Sequence, residues 1–489
     1  MQKSATIQLL KTFSEAESKE FDRFIQSPFF NNQKSLTKFY KLIKKKSPSY
    51  DGEDLQKEII FKNLYPGKTY NDEIIRRLLA DLKKIIDEYL AYSQFRSDRN
   101  LTARALLTEY KNRRQGKLFE QKLERTNEEL DNTENYDKTY FEAKKEIHNL
   151  MLNYIFHMNK LNYKKYDFSK RGEYIIYSFL IDILNLTSDT MFISREMNRE
   201  NEISLPDIFF ENFDMGALIE HLKKTNSPYY NTFSLIYAGL QAFKNTNDDK
   251  YYYEYKSMIQ EHWKTFTNGA KYILYINLST FCAFKIEKGK LDFRRELFSL
   301  YDRMLKEDFY VFAENGYFDL NLWRQILLSA VLLKKYDWSH KFIERYSGAL
   351  SPETKNDTVN LSYSRLLIAE GHYEQALEYI SNINSDYSIF KTDVRNLMLQ
   401  IYYEMNYTEQ LLSLMDSYKH FLSSNQQISG FKKNKYSGFV NNIGTLLKFK
   451  RKPDRGKIET FVNSVLTSQA SFGDWLISKA LEIKNKIKT

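Results

Sequence analysis

Cationic side chains crowd the C-terminal end of this chain. Six of the ten residues in KFKRKPDRGK are basic: Lys448, Lys450, Arg451, Lys452, Arg455 and Lys457. A second group, Lys432, Lys433 and Lys435, precedes them in FKKNKYSGF. Residues 419–489 hold 14 Lys and Arg against 4 Asp and Glu, which matches the net charge of +10 for all 489 residues, so the rest of the chain is balanced. Such a concentrated excess is the footprint expected of a surface that meets nucleic acid, where each neutralised phosphate releases counterions, or an acidic protein. A polar cap that stops a stacked array from continuing uses the same residue types. Pro453 and Gly456 predict a loop within the first group.

Other residues invite chemistry and then fail its spacing. Gly67-Lys68-Thr69 looks like the end of a phosphate-binding loop, but that loop needs a glycine where Lys62 stands, and a strand before it. The seven histidines include no His-Glu-x-x-His pair, the spacing that turns two zinc ligands to one helical face. Cys282 is the single cysteine and lies in the apolar run LSTFCAFKI, where a small buried residue is expected. No Gly-x-Ser-x-Gly elbow occurs, and paired carboxylates fall on polar helix faces. No catalytic residue, metal site or cofactor is therefore expected, and the chain reads as a non-enzyme. The 37 Tyr and 35 Phe include stretches interleaved with Lys, at residues 251–260 and 162–168, of the kind that can stack on single-stranded bases. Aromatic residues at helical spacing are better read as filling between helices.

The elements that must position these residues are helical. Only 16 Gly and 7 Pro occur, and no alternating β-branched run lies between turn signals. The expected fold class is all-α. No apolar run approaches the roughly 18 residues of a membrane span, so no membrane insertion is expected. The longest, Tyr174 to Leu184, contains Asp182. The N-terminus lacks the apolar stretch and cleavage site of a signal peptide, and one thiol fits a reducing compartment, so a cytoplasmic location is expected.

Residues 1–98 read as a compact helical unit. Ser14 and Glu17 have the spacing of a capping box, Ser27-Pro28 stops the helix that follows, and Asn71 or Asp72 starts a long one. That long helix carries a stripe of Ile74, Ile75, Leu78, Leu79, Leu82, Ile85, Ile86, Tyr89 and Leu90. Residues 99–310 read as an array of helical hairpins: two long amphipathic helices lie between about 100 and 160, and from about 170 to 310 breaks at SLPD, NSPYY, NTNDD, TNGA and EKGK punctuate helices about every 20 to 25 residues, as stacked hairpins require. Residues 421–489 form a basic helical end with Val462, Val465, Leu466, Trp475, Leu476, Ala480 and Ile483 on apolar faces.

Between 311 and 420 the hairpins repeat. Tyr363, Leu367, Tyr373, Leu377 and Ile380 are matched 34 residues later by Leu397, Ile401, Tyr407, Leu411 and Leu414. Residues 35 before the first four are Leu328, Leu332, Trp338 and Phe342. Together with Gly371, Tyr373 and Ala376 in AEGHYEQALEYI, this spacing resembles the tetratricopeptide repeat, clearest at 358–385. Gln410 and Met398 stand where that pattern has small residues. The resemblance implies an α-solenoid of helical hairpins that works as a scaffold or adaptor by binding a protein or peptide. It implies a partner groove on the first helix of each hairpin, with Arg365, Arg395, Asn396 and Tyr402 as exposed candidates. A nucleic-acid-associated regulator using the basic C-terminal end is the alternative reading.

Overall fold

The computed structural model describes residues 1–132, 136–158, 167–196, 205–311, 316–384, 388–468 and 470–487. Every regular element among them is helical, and none is a strand. The chain divides into two compact units, Met1–Asp131 with Glu146–Phe168, and Asn132–Lys145 with Ser169–Thr489. The boundary expected at residue 98 falls inside the first.

The first unit contains α1 (Ala5–Lys11), α2 (Glu15–Gln26), α3 (Lys34–Lys44), α4 (Lys57–Leu64), α5 (Asp72–Ser97), α6 (Arg99–Asn112), α7 (Gly116–Asp131) and the second half of α8 (Lys138–His157). Local chemistry sets the ends. Ser14 accepts from the Glu17 backbone N–H at 3.2 Å while the Glu17 carboxylate accepts from the Ser14 N–H at 2.7 Å, so two orphan donors of α2 are satisfied reciprocally. Asn71, not Asp72, caps α5. The α5 stripe builds the core: Ile75, Leu82 and Ile86 are fully enclosed, and the Tyr89 ring meets Phe13, Phe21 and Phe24 at 5.6, 5.3 and 5.4 Å. Ile74 and Leu90 were expected in this stripe but lie at its edges and are exposed, because each residue turns the helix by about 100°.

The second unit is a helical-repeat array. It runs through α9 (Phe168–Glu196), α10 (Leu205–Asn212), α11 (Met215–Lys224), α12 (Tyr230–Lys244), α13 (Asp249–Glu261), α14 (Asn268–Glu287), α15 (Phe293–Lys306), α16 (Leu320–Leu332), α17 (Tyr336–Tyr346), α18 (Lys355–Glu370), α19 (Tyr373–Ser381), α20 (Ser388–Glu404), α21 (Thr408–Ser424), α22 (Gly430–Arg451), α23 (Arg455–Ser468) and α24 (Gly473–Asn485). Helices pack as adjacent pairs, α12 with α13, α14 with α15, α16 with α17, α18 with α19, and α20 with α21. In addition α16 touches α18, α18 touches α20, and α20 touches α22, so the first helices of successive hairpins form a row. The expected boundary at 420 is bridged by packing: one apolar cluster runs from Leu399 and Met415 through Phe439 and Ile443 to Leu476 and Ile483. Val465 is buried there, whereas Leu466, expected beside it, is exposed.

The hairpin turns explain how so glycine-poor a chain turns so often. So few turn formers favour long helices, yet many here are short. Seven helices close on a residue in the left-handed region: Arg114, Asn226, Gly289, Asp308, Lys334, Gly371 and Asn406. After each, the next backbone N–H reaches back five residues, as from His372 to the Leu367 carbonyl at 2.8 Å, Lys335 to Ala330 at 3.0 Å, and Tyr407 to Tyr402 at 2.9 Å. This is the Schellman closure, which satisfies carbonyls left over at the helix end. Only two of the seven are glycine. Asn and Asp tolerate the conformation by local hydrogen bonding, while Arg and Lys bear a steric cost of about 1–2 kcal/mol. The turns are encoded by position in the hairpin more than by residue type.

Candidate binding site on the row of first helices

Three helices of the row, α16, α18 and α20, bring two guanidinium groups onto one carboxylate. Arg324 of α16 donates from Nε at 3.0 Å and Nη2 at 2.5 Å to Oδ2 of Asp393, and Arg365 of α18 donates from Nη2 at 3.2 Å to the same oxygen. The side chain of Asp393 is 5% exposed, that of Arg365 14% and that of Arg324 22%. Asp393 sits on α20 between Phe390 and Leu397, both buried, so it lies on the core face of its helix. A carboxylate there demands a cation, since an unpaired buried charge costs several kcal/mol. It receives two. Burial pulls Arg365 below its ordinary pKa, with Asp393 opposing the shift and Arg324 adding to it.

Neutral polar groups fix the surroundings. Trp323 donates to the Ser362 hydroxyl at 2.9 Å, and Ser362 donates to the Thr358 carbonyl at 2.6 Å, which sets α16 against α18. Tyr418 of α21 donates to the Thr392 carbonyl at 3.4 Å. Asn396, one turn beyond Asp393 on the same face of α20, is fully buried and interacts with the Tyr418 hydroxyl of α21.

The four residues expected to be exposed in a groove divide between two faces of α20 and its neighbour, and none is exposed. Arg365 and Asn396 belong to the cluster around Asp393. Arg395 and Tyr402 lie on the opposite side of α20, because each is displaced by roughly half a turn from Asp393 at about 100° per residue. Arg395 places its guanidinium 4.1 Å from the centre of the Phe421 ring and donates to the Lys391 carbonyl at 2.9 Å, and burial lowers its pKa. Tyr402 is half-buried beside Tyr407. The expectation of a solvated groove failed because the row packs tightly enough to enclose long side chains. Arg324 and Asp393 were missed. The available signal was a carboxylate at helical spacing from Phe390 and Leu397.

The basic C-terminal residues also separate on inspection. Lys450 is occupied: it donates to the Tyr403 carbonyl at 3.4 Å and to Asn406 at 3.0 Å, and lies 3.9 Å over the Tyr403 ring, where burial lowers its pKa. Lys435 pairs with Glu287 at 3.3 Å and lies over Phe431. Lys457 lies 3.4 Å from Asp454. Lys432 is exposed and Lys433 half-buried. Lys448, Arg451, Lys452 and Arg455 are exposed around the turn between α22 and α23 and form no ion pair among the described residues. Gly456, expected in the loop, is the second residue of α23, whose start is fixed by Asp454 accepting from the Lys457 N–H at 3.0 Å. Residues 251–260, read as core filling, place Tyr252, Tyr255 and Ile259 inside; residues 162–166 of the other aromatic stretch lie outside the described residues.

Cys282 is buried and donates to the Tyr252 hydroxyl at 3.3 Å, and burial raises its pKa to about 12. Among the described residues no cluster of His, Cys, Asp and Glu could hold a metal ion, and no helix is long and apolar enough to cross a membrane. No protein-family model matches the sequence, and no curated protein or solved structure is detectably similar to it.

Proposed function

We propose that this chain works by binding, as a non-enzymatic helical-repeat scaffold or adaptor that holds a protein or peptide partner in the cytoplasm. The observation that carries this reading is the row of first helices α16, α18 and α20, which presents a net positive polar cluster on elements held rigid by hairpin packing. Rigid helices lose little entropy when a partner docks, so contacts made there convert efficiently into affinity. The tetratricopeptide-like spacing at 358–385 agrees with this use.

A second reading rests on Lys448, Arg451, Lys452 and Arg455, which are exposed around one turn and form no ion pair among the described residues. They would hold phosphates of a nucleic acid, with affinity falling steeply as salt rises. Capture of the tagged full chain from its own cells, with and without nuclease, separates the two. The binding reading expects a protein that is retained in stoichiometric amount after nuclease and in high salt. Loss of all bound material with nuclease would transfer the function to the basic turn.

A further inference from the structure

The Arg324–Asp393–Arg365 cluster carries one charge too many. Two guanidinium groups face one carboxylate, their three hydrogen bonds converge on one carboxylate oxygen, and Asp393 is the carboxylate within ion-pair reach of either arginine among the described residues. An enclosed charge excess of this kind is costly unless a second anion answers it. The Nη1 groups of both arginines make no hydrogen bond among the described residues, so donors remain for that anion. Arg324, at 22% exposure the most open of the three charged side chains, marks the side from which a ligand enters.

We infer that this cluster is a binding site for a carboxylate, held by Arg324 and Arg365. A planar carboxylate matches the fixed fork of a guanidinium, which a point charge such as lysine does not reproduce. The inference deepens the binding reading by naming the chemistry recognised: an acidic side chain of a partner peptide, or a free small carboxylate. Asp393 acts here as a positioning residue. It holds both guanidinium groups in register and lowers their attraction for the incoming anion.

The experiment uses the full chain and two probes, fluorescein-labelled hexaglutamate followed by anisotropy, and acetate followed as a competitor. The parent is expected to bind hexaglutamate and not hexaglutamine. Arg324→Gln should weaken binding by tenfold or more. Arg324→Lys, which keeps the charge and the fold, should weaken it by several-fold because the fork is lost. Weaker binding at an unchanged melting temperature in Arg324→Lys is the pair of effects that a purely structural role would not give. Displacement of hexaglutamate by millimolar acetate would assign the site to a free carboxylate, and resistance would assign it to the peptide. Absence of hexaglutamate binding, or binding unchanged in Arg324→Gln, would overturn the inference while leaving the capture result standing. So would binding that is lost when Lys448, Arg451, Lys452 and Arg455 are reversed to Glu.

Discussion

Two cationic regions of the second unit differ in what surrounds their charge. In the row of first helices, two arginines are enclosed against Asp393, and each guanidinium is held by hydrogen bonds to the same oxygen. Around the turn between α22 and α23, four basic residues stand in solvent and form no ion pair among the described residues. Counting charges along the chain finds the second region at once and passes over the first. Enclosure reverses their energetic weight. A buried charge acts in a low effective dielectric and must be answered, whereas solvent and salt screen an exposed one. The comparison separates a site built into the packing from a surface whose charges leave the fold largely indifferent.

The largest effect that could break this contrast is expected at Asp393. Replacing it with Asn leaves two enclosed guanidinium groups without an anion and should destabilise the chain by about 3–5 kcal/mol, read from chemical denaturation. Reversing Arg455 to Glu at the exposed turn should change stability by no more than about 0.5 kcal/mol. Equal effects at the two positions would dissolve the distinction.

A second test lies inside the buried class. Lys285 is almost fully buried and pairs with Asp249, which also accepts from Lys290 at 2.7 Å. Burial opposes ionisation of Asp249, but hydrogen bonds from Lys285 and Lys290 outweigh it and hold its pKa below the ordinary carboxylate value. A carboxyl depressed in the folded state gives stability that is present above its unfolded pKa and lost as pH falls through the folded one. Stability of the parent should therefore decline on acidification below about pH 4, the ordinary carboxylate range. Asp249→Asn should start lower at neutral pH and lose less over the same acid range, measured by denaturant midpoints at a series of pH values.

Within the basic segment, Lys450 and Lys448 sharpen the comparison at close quarters. Lys450→Ala removes two hydrogen bonds and a contact over the Tyr403 ring, and should cost about 1–2 kcal/mol. Lys448→Ala, two residues away and as exposed as Lys450 but without such contacts among the described residues, should lie within about 0.5 kcal/mol of the parent. The smallest expected effect concerns the turns. Lys334→Gly relieves a left-handed lysine at φ 56° and should stabilise by up to about 1 kcal/mol, because glycine's greater freedom in the unfolded chain offsets part of the gain. Gly371→Ala, at φ 87°, should destabilise by about 1 kcal/mol, although its side chain would meet open space. Thermal midpoints read both.

Much of this architecture was legible in the sequence. The helical class, the capping box at Ser14 and Glu17, the stripe of α5 and the left-handed glycine at 371 follow from local rules. Local rules act within one turn of helix, which is why they transfer so well from sequence to structure. What escaped was set by packing across the row. Ile74, Leu90 and Leu466 were placed inside because a periodic stripe has no sharp edge until a neighbour defines it. Arg365 and Asn396 were placed at the surface because polarity favours solvent, and only the approach of α16 and α18 to α20 encloses them. Arg395 and Tyr402 share their neighbourhood in sequence, but half a turn of helix carries them to another face. Arg324 lies 69 residues before Asp393, too far for any spacing rule to pair them. The opposite error arose at Lys435 and Lys450, whose charges were counted as free although each is held by another helix.

The central claim is that a partner engages the row of first helices and not the basic turn. Hydrogen exchange of the full chain alone and in the captured complex, resolved by peptide, tests it most directly. The account predicts added protection in α16, α18 and α20, with residues 448–457 exchanging as in the free chain. Protection confined to residues 448–457, with the row unchanged, would contradict it.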